Sequence, residues 1–241
     1  MNKALLIGLV IAAAGLAGAP PLSAAGAPRA NRTLLGRSEE GRPIELVRTG
    51  NPSGTRVLVF GVIHGNEDAG LPVTRALERQ SAHSPANLWI VPDLNPDGHA
   101  RHTRQNGRGV DLNRNWSTDW HGGGRPFDTY YGGPQAFSER ETRLARALIL
   151  RAHPKVTIWF HQHMNLIWAN GSPGLRAGRI YARTSGMRLY HHASLPGTST
   201  LWQDHHLRGS AAITVELPAG SLSPSQVRAH VRAVLAVAKG L

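Results

Sequence analysis

Four short segments of the 241-residue chain are almost continuous runs of β-branched and other apolar residues. Such runs are typical of strands that are buried on both faces. The four segments are Arg56–Ile63, Leu88–Val91, Val156–Phe160 and Ala212–Val215. A chain built on these strands must cover each side of its sheet with other elements.

Helical patterns lie between the predicted strands. A capping box at Ser138–Glu141 predicts a helix that ends before Pro154. Ser223–Gln226 opens a last helix that Gly240 closes, and a further helix is expected over residues 71–80. Strands that alternate with helices favour the α/β class, with the helices covering the sheet.

The region before the first buried strand has a hairpin pattern. Thr33–Leu35 and Ile44–Val47 are strand-like and flank the turn-like segment Ser38–Gly41. A hairpin pairs antiparallel, so it would add antiparallel strands to an otherwise parallel sheet. We therefore expect a three-layer α/β/α sandwich with a mixed, mainly parallel sheet.

Polar residues capable of chemistry follow each of the buried runs. His64 and Glu67 follow the first, Asp93–Asp97 the second, His161 the third and Glu216 the fourth. In open α/β sheets ligands bind at the carboxyl ends of the strands. These groups are therefore expected to converge although they are far apart in the sequence.

The N-terminus has the pattern of a secretory signal peptide. Met1–Lys3 carries one positive side chain, Ala4–Ala19 is apolar, and small residues follow. The apolar run is shorter than the roughly 20 residues that span a bilayer, although an uncleaved anchor is an alternative. We expect residues 1–25 to be a signal peptide and residues 26–241 to be a single domain. The mature protein would be secreted or periplasmic and free of the membrane.

Charge and cysteine content narrow the function classes. The formal net charge is +12, but the basic residues are spread along the chain without a basic stripe or a recognised motif. We therefore expect no nucleic-acid partner.

The chain has no cysteine, which excludes disulfides, thiolate metal sites and a thiol nucleophile. It also has no G-x-S-x-G motif of a serine hydrolase. Any metal must be held by His, Asp or Glu.

His64 and Glu67 form an H-x-x-E pair in a loop that Gly65 allows to turn sharply. One imidazole and one carboxylate suit Zn²⁺, and a distant second histidine would complete a catalytic site with an open position for water. Taken alone the pair is also compatible with a surface ion pair or a helix cap. The rest of the chain decides between these interpretations.

The order of motifs resembles that of the zinc carboxypeptidase family. Gly109–Trp116, with the sequence GVDLNRNW, is the most specific of them. Together the motifs extend from about Arg56 to Leu217, which makes a chance match very unlikely. In chain order they are His64–Glu67, Arg101–Arg104, Gly109–Trp116, His161 and Glu216.

The resemblance implies that His64, Glu67 and His161 bind one Zn²⁺ and that Glu216 is the catalytic glutamate. Zinc lowers the pKa of a bound water, and a carboxylate beside it can take the proton. His163 lies two residues after His161 and is the alternative third ligand. His161 is preferred because it directly follows the apolar run.

Other positions acquire roles by the same resemblance. Arg101 resembles the arginine that polarises the scissile carbonyl and stabilises the oxyanion. Asn113 and Arg114 resemble the pair that binds the terminal carboxylate of the substrate, for which arginine offers a bidentate fork. Asp111 resembles the acid that orients a ligand histidine. Two further arginines, Arg104 and Arg108, are left open between substrate binding and a solvated loop.

The chain departs from the peptide-cleaving members of the family at one tyrosine. Those members carry it on a mobile loop before the glutamate strand, whereas residues 196–202 contain none. Tyr181 and Tyr190 are possible substitutes, but packing roles are the better interpretation. Trp202 could line the pocket but cannot supply a phenolic proton.

A mature chain of roughly 215 residues is shorter than the pancreatic-type catalytic domains. It looks most like the short bacterial murein-peptide amidases, which cut the D-glutamyl–diaminopimelate bond. We expect a monomeric zinc metallocarboxypeptidase that hydrolyses a C-terminal amide bond of a peptide or peptidoglycan-derived peptide. The alternatives are a zinc-dependent deacylase of small N-acyl amino acids and a non-catalytic cell-wall or peptide-binding module.

Overall fold

The computed structural model describes residues 1, 30–80, 84–191 and 195–241. The strands in this part of the chain are β1 (Asn31–Arg37), β2 (Pro43–Gly50), β3 (Thr55–Phe60), β4 (Ala86–Val91), β5 (Val156–Ala169), β6 (Arg188–His191) and β7 (Ala211–Pro218). The α-helices are α1 (Gly70–Leu77), α2 (Pro96–Arg101), α3 (Arg140–Ala152), α4 (Gly171–Ser185), α5 (Ser199–His206) and α6 (Pro224–Gly240). A short 3₁₀ helix covers Leu112–Arg114.

All of these strands belong to one sheet in the order β1-β2-β4-β3-β5-β6, with β7 also paired to β5. The pairs β1–β2 and β2–β4 are antiparallel. The pairs β3–β4, β3–β5, β5–β6 and β5–β7 are parallel. The predicted mixed, mainly parallel sheet is confirmed.

Two apolar cores lie on opposite faces of the sheet. On β3, Val57 and Val59 pack into one core together with residues of α1, α4 and α6. Leu58 and Phe60 pack into the other core, which contains residues of α3 and Trp202 of α5. Burial of each such side chain stabilises the fold by about 1.5–3 kcal/mol. The three-layer α/β/α sandwich predicted from the sequence is confirmed.

Strand β5 is longer than the predicted run and changes direction within its span. Its first part pairs with β7 in ascending register, which places His161 opposite Glu216. Beyond His163 the register descends, so that Leu166 also lies opposite Glu216. Asn165 has a φ of +52°, a left-handed conformation that Asn tolerates in turns. The chain therefore turns back around residues 163–165 at the carboxyl end of the sheet.

The helix predicted from Ser138 forms, but its start differs from the prediction. Its N-cap is Glu139, without a side-chain capping hydrogen bond. The Ser138 hydroxyl instead donates to Glu139 Oε1 at 2.6 Å, and it accepts from Asn115 Nδ2 at 2.9 Å. At the last helix the capping box between Ser223 and Gln226 is present as predicted.

Two sequence predictions concern the N-terminus. Among the described residues no helix is long and apolar enough to cross a membrane. The signal peptide predicted at residues 1–25 lies, apart from Met1, outside the described residues. Its cleavage stays a prediction.

Candidate metal centre and its pocket

A cavity of about 680 Å³ opens at the carboxyl ends of the central strands. On β7, Ala212, Thr214 and Glu216 line this cavity, whereas Ile213 and Val215 pack into the core. The alternation follows from the two-residue period of a strand. The same sequence run therefore supplies both the core and the cavity wall.

Three of the predicted residues meet at the inner end of this cavity. Glu67 Oε1 lies 3.0 Å from His64 Nδ1, and Glu67 Oε2 lies 3.0 Å from His161 Nδ1. The two Nδ1 atoms are 3.2 Å apart. All three side chains are buried. His64 and Glu67 come from the loop after β3, and His161 comes from β5.

The loop that carries the first two residues is tightly folded. The backbone N–H of Glu67 donates to His64 O at 3.0 Å, which closes a turn. A Cβ atom at Gly65 would stand 1.9 Å from the carbonyl carbon of Gly98. Only glycine fits there, because the loop packs directly against the backbone of α2. This close contact sets the direction in which the His64 and Glu67 side chains point.

The arrangement fits a zinc ion. Ligand atoms 2.0–2.2 Å from zinc in tetrahedral geometry stand about 3.3–3.6 Å from one another, a few tenths of an ångström more than the 3.0–3.2 Å found here. His64 Nε2 also lies 2.9 Å from Asp111 Oδ1. This contact places the ring proton on Nε2 and leaves the Nδ1 lone pair directed at the metal position.

Charges around the donors reinforce this arrangement. Burial disfavours charge on Glu67, but His64 and His161 lower its pKa well below the usual range. Asp111 is buried too, and its pKa is lowered by His64 and Arg104. Burial opposes protonation of His64, yet Glu67 and Asp111 raise its pKa. The two carboxylates thus stay ionised at neutral pH and attract a cation.

Glu216 stands beside this group. It lies opposite His161 in the β5–β7 register, and its Oε2 atom is buried without a hydrogen-bond partner among the described residues. A buried carboxylate oxygen without a partner carries a desolvation cost of about 1–3 kcal/mol or more. Such an atom is placed to accept a proton from a molecule bound in the cavity.

The expectation for Arg101 is wrong in its placement. Arg101 is exposed at the end of α2, forms an ion pair with Glu40 and does not line the cavity. The next residue, His102, adopts a left-handed conformation with a φ of +53° and ends the helix. The chain turns there, so that the side chain of Arg101 points away from the metal centre.

Arg104 occupies the position that was expected for Arg101. Its Nε donates to Asp111 Oδ2 at 2.9 Å, and its Nη1 donates to Glu67 Oε1 at 3.0 Å. Arg104 lines the cavity and is only partly exposed. From the sequence alone, Arg104 could equally bind substrate or lie in a solvated loop. The structure places it in the wall of the cavity.

Asn113 and Arg114 both line the cavity, as the sequence predicted. Asp111 caps their 3₁₀ helix by accepting from the backbone N–H of Asn113 at 2.9 Å. Asn113 Oδ1 accepts from the N–H of Ser199 at 3.0 Å. Arg114 donates to Asn113 O at 2.7 Å, and no carboxylate of the described residues forms an ion pair with it. Its guanidinium is therefore available to an anion.

The remaining candidates lie elsewhere. His163 is exposed at the rim of the cavity, away from the buried donors. Tyr181 is buried in the core, where its hydroxyl lies 2.9 Å from His230 Nδ1. The Tyr190 ring packs on Trp168 at a centroid distance of 5.6 Å. Neither tyrosine lines the cavity, which agrees with packing roles.

The segment over residues 196–202 is partly helical, whereas the sequence suggested a loop. Helix α5 begins at Ser199, and the Thr198 hydroxyl caps it. Trp202 is buried in the core, 5.2 Å from the Trp116 ring, and does not line the cavity. It supplies packing under the site.

Tyr130 lines the cavity and was missed by sequence reasoning. Arg104 Cζ lies 5.6 Å from the centre of its ring, and Arg114 Cζ lies 4.9 Å from it. The residue comes from the irregular segment between the 3₁₀ helix and α3. No local pattern marks such a residue, because its place depends on contacts with distant parts of the chain.

Comparisons with known proteins agree with this geometry. A family model described as zinc carboxypeptidase matches residues 24–174. Carboxypeptidase B of Astacus astacus is 32% identical over 163 residues, which is 55% of this chain and 54% of that protein. The zinc carboxypeptidase of Simulium vittatum is 32% identical over 162 residues, 55% of this chain and 53% of that protein. The chain thus spans about half the length of these relatives.

Solved structures share the fold. The murein-tripeptide amidase MpaA of Escherichia coli O157 superimposes with a TM-score of 0.70 at 23% identity, covering 90% of this chain and 94% of that chain. Carboxypeptidase A of Helicoverpa armigera gives a TM-score of 0.71 at 21% identity, covering 87% of this chain and 69% of that chain. At these identities the likeness establishes the architecture alone.

Proposed function

The chain belongs to the zinc carboxypeptidase family, and we propose that it is a zinc-dependent carboxypeptidase that hydrolyses the C-terminal amide bond of a peptide. One observation carries the proposal. The His64–Glu67–His161 donor set, the Oε2 atom of Glu216 and the guanidinium of Arg114 face one cavity. Within the described ranges, that oxygen has no hydrogen-bond partner and that guanidinium pairs with no carboxylate.

His64, Glu67 and His161 would hold the metal. A zinc ion bound there lowers the pKa of a water molecule toward neutrality and polarises a carbonyl group. Glu216 takes the proton from the attacking water and delivers it to the leaving nitrogen, because its unpaired Oε2 stands beside the donor set. Asp111 keeps His64 in the tautomer that the metal requires.

Arg104 is the residue that we propose for oxyanion stabilisation, in place of Arg101. Its Nε and Nη1 atoms are held by Asp111 and Glu67. The guanidinium has five N–H donors, so these two bonds leave N–H groups for the substrate. A permanently charged donor that two carboxylates hold in place needs little reorganisation when negative charge develops on the carbonyl oxygen.

Arg114 and Asn113 would select the end of the substrate. Arg114 is half-buried and has no carboxylate partner in the described part of the chain. A C-terminal carboxylate can supply that partner through two parallel hydrogen bonds. This contact would make the enzyme an exopeptidase, because an internal peptide bond has no carboxylate at the required distance.

The substrate class that we propose is a short peptide, including peptides derived from peptidoglycan. Thr200, Ala212 and Thr214 line the cavity without a charge, which suits a residue with a neutral contact surface. The net charge of +12 favours anionic substrates such as cell-wall peptides. The E. coli murein-tripeptide amidase is also a chain of similar length.

Export of the protein completes the proposal. The signal-peptide pattern of residues 1–25 supports a secreted or periplasmic protein. N-terminal sequencing of the exported protein tests this point, with a new terminus near Gly26 as the expected result. Retention of Met1 in a membrane fraction would indicate an anchor.

The function is tested by measuring zinc content and residue release on the same sample of mature protein. About one zinc per chain, with chelator-sensitive release of C-terminal residues, is expected. Ordinary peptides and muropeptides are compared, each with its C-terminal amide as the control for the role of Arg114. Zinc without any release would favour a deacylase or a binding module. Absence of zinc under zinc-replete conditions would refute the metal site.

A further inference from the structure

The ring of Tyr130 contacts two cationic side chains of the cavity at once. Arg114 Cζ lies 4.9 Å and Arg104 Cζ 5.6 Å from the ring centre. Both distances are within the roughly 6 Å at which a guanidinium is attracted to an aromatic face. The aromatic ring therefore connects the two arginines that line the proposed substrate site.

Tyr130 is held in place although the residue is 65% exposed. The carbonyl of Tyr131 accepts from the backbone N–H of Asp111 at 2.8 Å. Gln105 Nε2 donates to the carbonyl of Asp128 at 3.0 Å. Asn115 Nδ2 donates to the carbonyl of Gly132 at 2.7 Å. The segment that carries Tyr130 is thus tied to the segment that carries Asp111.

The two arginines depend on this ring to different degrees. Arg104 has hydrogen bonds to two carboxylates, those of Asp111 and Glu67. Arg114 has one side-chain hydrogen bond, to the carbonyl of Asn113, and the ring contact. Burial is a cost to the Arg114 cation and, together with the nearby charge of Arg104, lowers its pKa, while the Asp111 carboxylate acts in the opposite direction. The negative face of an aromatic ring offsets this cost.

We propose that Tyr130 is a positioning residue whose ring orients the guanidinium of Arg114 toward a substrate carboxylate. The inference rests on the proposed function and adds to it a residue that lies outside the motifs identified in the sequence. The aromatic ring is the part of the side chain that orients Arg114. The hydroxyl has no hydrogen-bond partner among the described residues and is not required.

The test measures equilibrium binding to zinc-loaded protein that carries Glu216→Gln, so that turnover does not interfere. The probes are an N-acetylated alanyl dipeptide with a free carboxylate and the same peptide as its C-terminal amide. Tyr130→Leu removes the ring, Tyr130→Phe keeps it, and Tyr130→Trp is a second ring-bearing variant. Trp89→Leu is the matched control, because Arg48 lies 5.5 Å from that ring and neither residue lines the cavity.

Tyr130→Leu is expected to raise Kd for the carboxylate peptide about tenfold and to leave Kd for the amide within twofold. Tyr130→Phe, Tyr130→Trp and Trp89→Leu should bind both probes within twofold of the parent. In protein that retains Glu216 and is therefore active, Tyr130→Leu should raise KM and leave kcat nearly unchanged. Melting temperatures establish that the variants are folded.

Three results would overturn the inference. Unchanged binding by Tyr130→Leu would show that the ring does not position Arg114. An equal loss in Tyr130→Phe would assign the role to the hydroxyl. A parent that binds carboxylate and amide equally would remove the carboxylate site itself. Absence of turnover in the wild-type protein would refute the proposed function, but the binding comparison would still decide the role of Tyr130.

Discussion

Replacement of Glu141 by Gln should change how the stability of the protein depends on pH. Glu141 is fully buried in the first turn of α3. Its Oε1 accepts from the N–H of Glu39 at 3.1 Å, and its Oε2 accepts from Asn106 Nδ2 at 3.2 Å. Glu39 and Glu139 lie close by, so the group has carboxylate neighbours. Burial raises the pKa of Glu141 to about 7.

The raised pKa sets the sign of the effect. The folded state binds the proton of Glu141 up to about pH 7, whereas the unfolded chain releases it near 4.5. The proton on Glu141 therefore contributes its full amount to the free energy of unfolding below pH 4.5, and this contribution is lost as the pH rises to about 7. A difference of about 2.5 pKa units corresponds to a loss of about 3 kcal/mol in the free energy of unfolding.

Urea unfolding of the zinc-saturated protein from pH 4.5 to 8 measures this loss. The free energy of unfolding of Glu141→Gln minus that of the wild type should rise by about 3 kcal/mol over this range. A destabilisation by the amide of Glu141→Gln that is the same at every pH does not affect the pH dependence of this difference. Groups that titrate alike in both proteins also cancel in the difference. Parallel curves for Glu141→Gln would refute the argument from burial.

Other predictions concern the site itself. Glu216→Gln should keep zinc but lose turnover by about 10²–10⁴-fold, and full activity in a steady-state assay would contradict its role as general base. His161→Ala should lose zinc in a metal analysis, whereas His163→Ala should retain it; the reverse would move the ligand to His163. Arg104→Ala should lower kcat at least about 10²-fold, while Arg101→Ala, at the exposed Glu40 contact, should leave kcat within twofold.

Much of the architecture was predictable because buried strands and helices have characteristic patterns of apolar residues in the sequence. The runs that became β3, β4 and β5 are apolar on both faces, since each face packs into an apolar core, whereas β7 packs one face into the core and lines the cavity with the other. Helix α4 was not predicted: its N-cap Asn170 makes no side-chain capping hydrogen bond, and its one clear end signal is the left-handed Gly186. Propensity alone is a weak guide in such segments.

The site was predictable where it is built from short-range motifs. His64 and Glu67 are three residues apart and share one turn, so their proximity follows from local structure. The placement of His161 beside them required the parallel pairing of β3 and β5. The motif Arg101–Arg104 contains two arginines, and the first was expected to stabilise the oxyanion. The left-handed end of α2 at His102 turns the second into the cavity.

The sequence by itself determined the class of fold, the family and the metal-binding residue types, because these depend on periodicity and on residues that are close in the chain. Tertiary structure decided the reversal of β5, the outward direction of Arg101 and the presence of Tyr130 against Arg114. The reason is that a loop side chain is oriented by hydrogen bonds and packing with distant segments. The bond from Asp111 to Tyr131 is such a contact, and no local pattern encodes it.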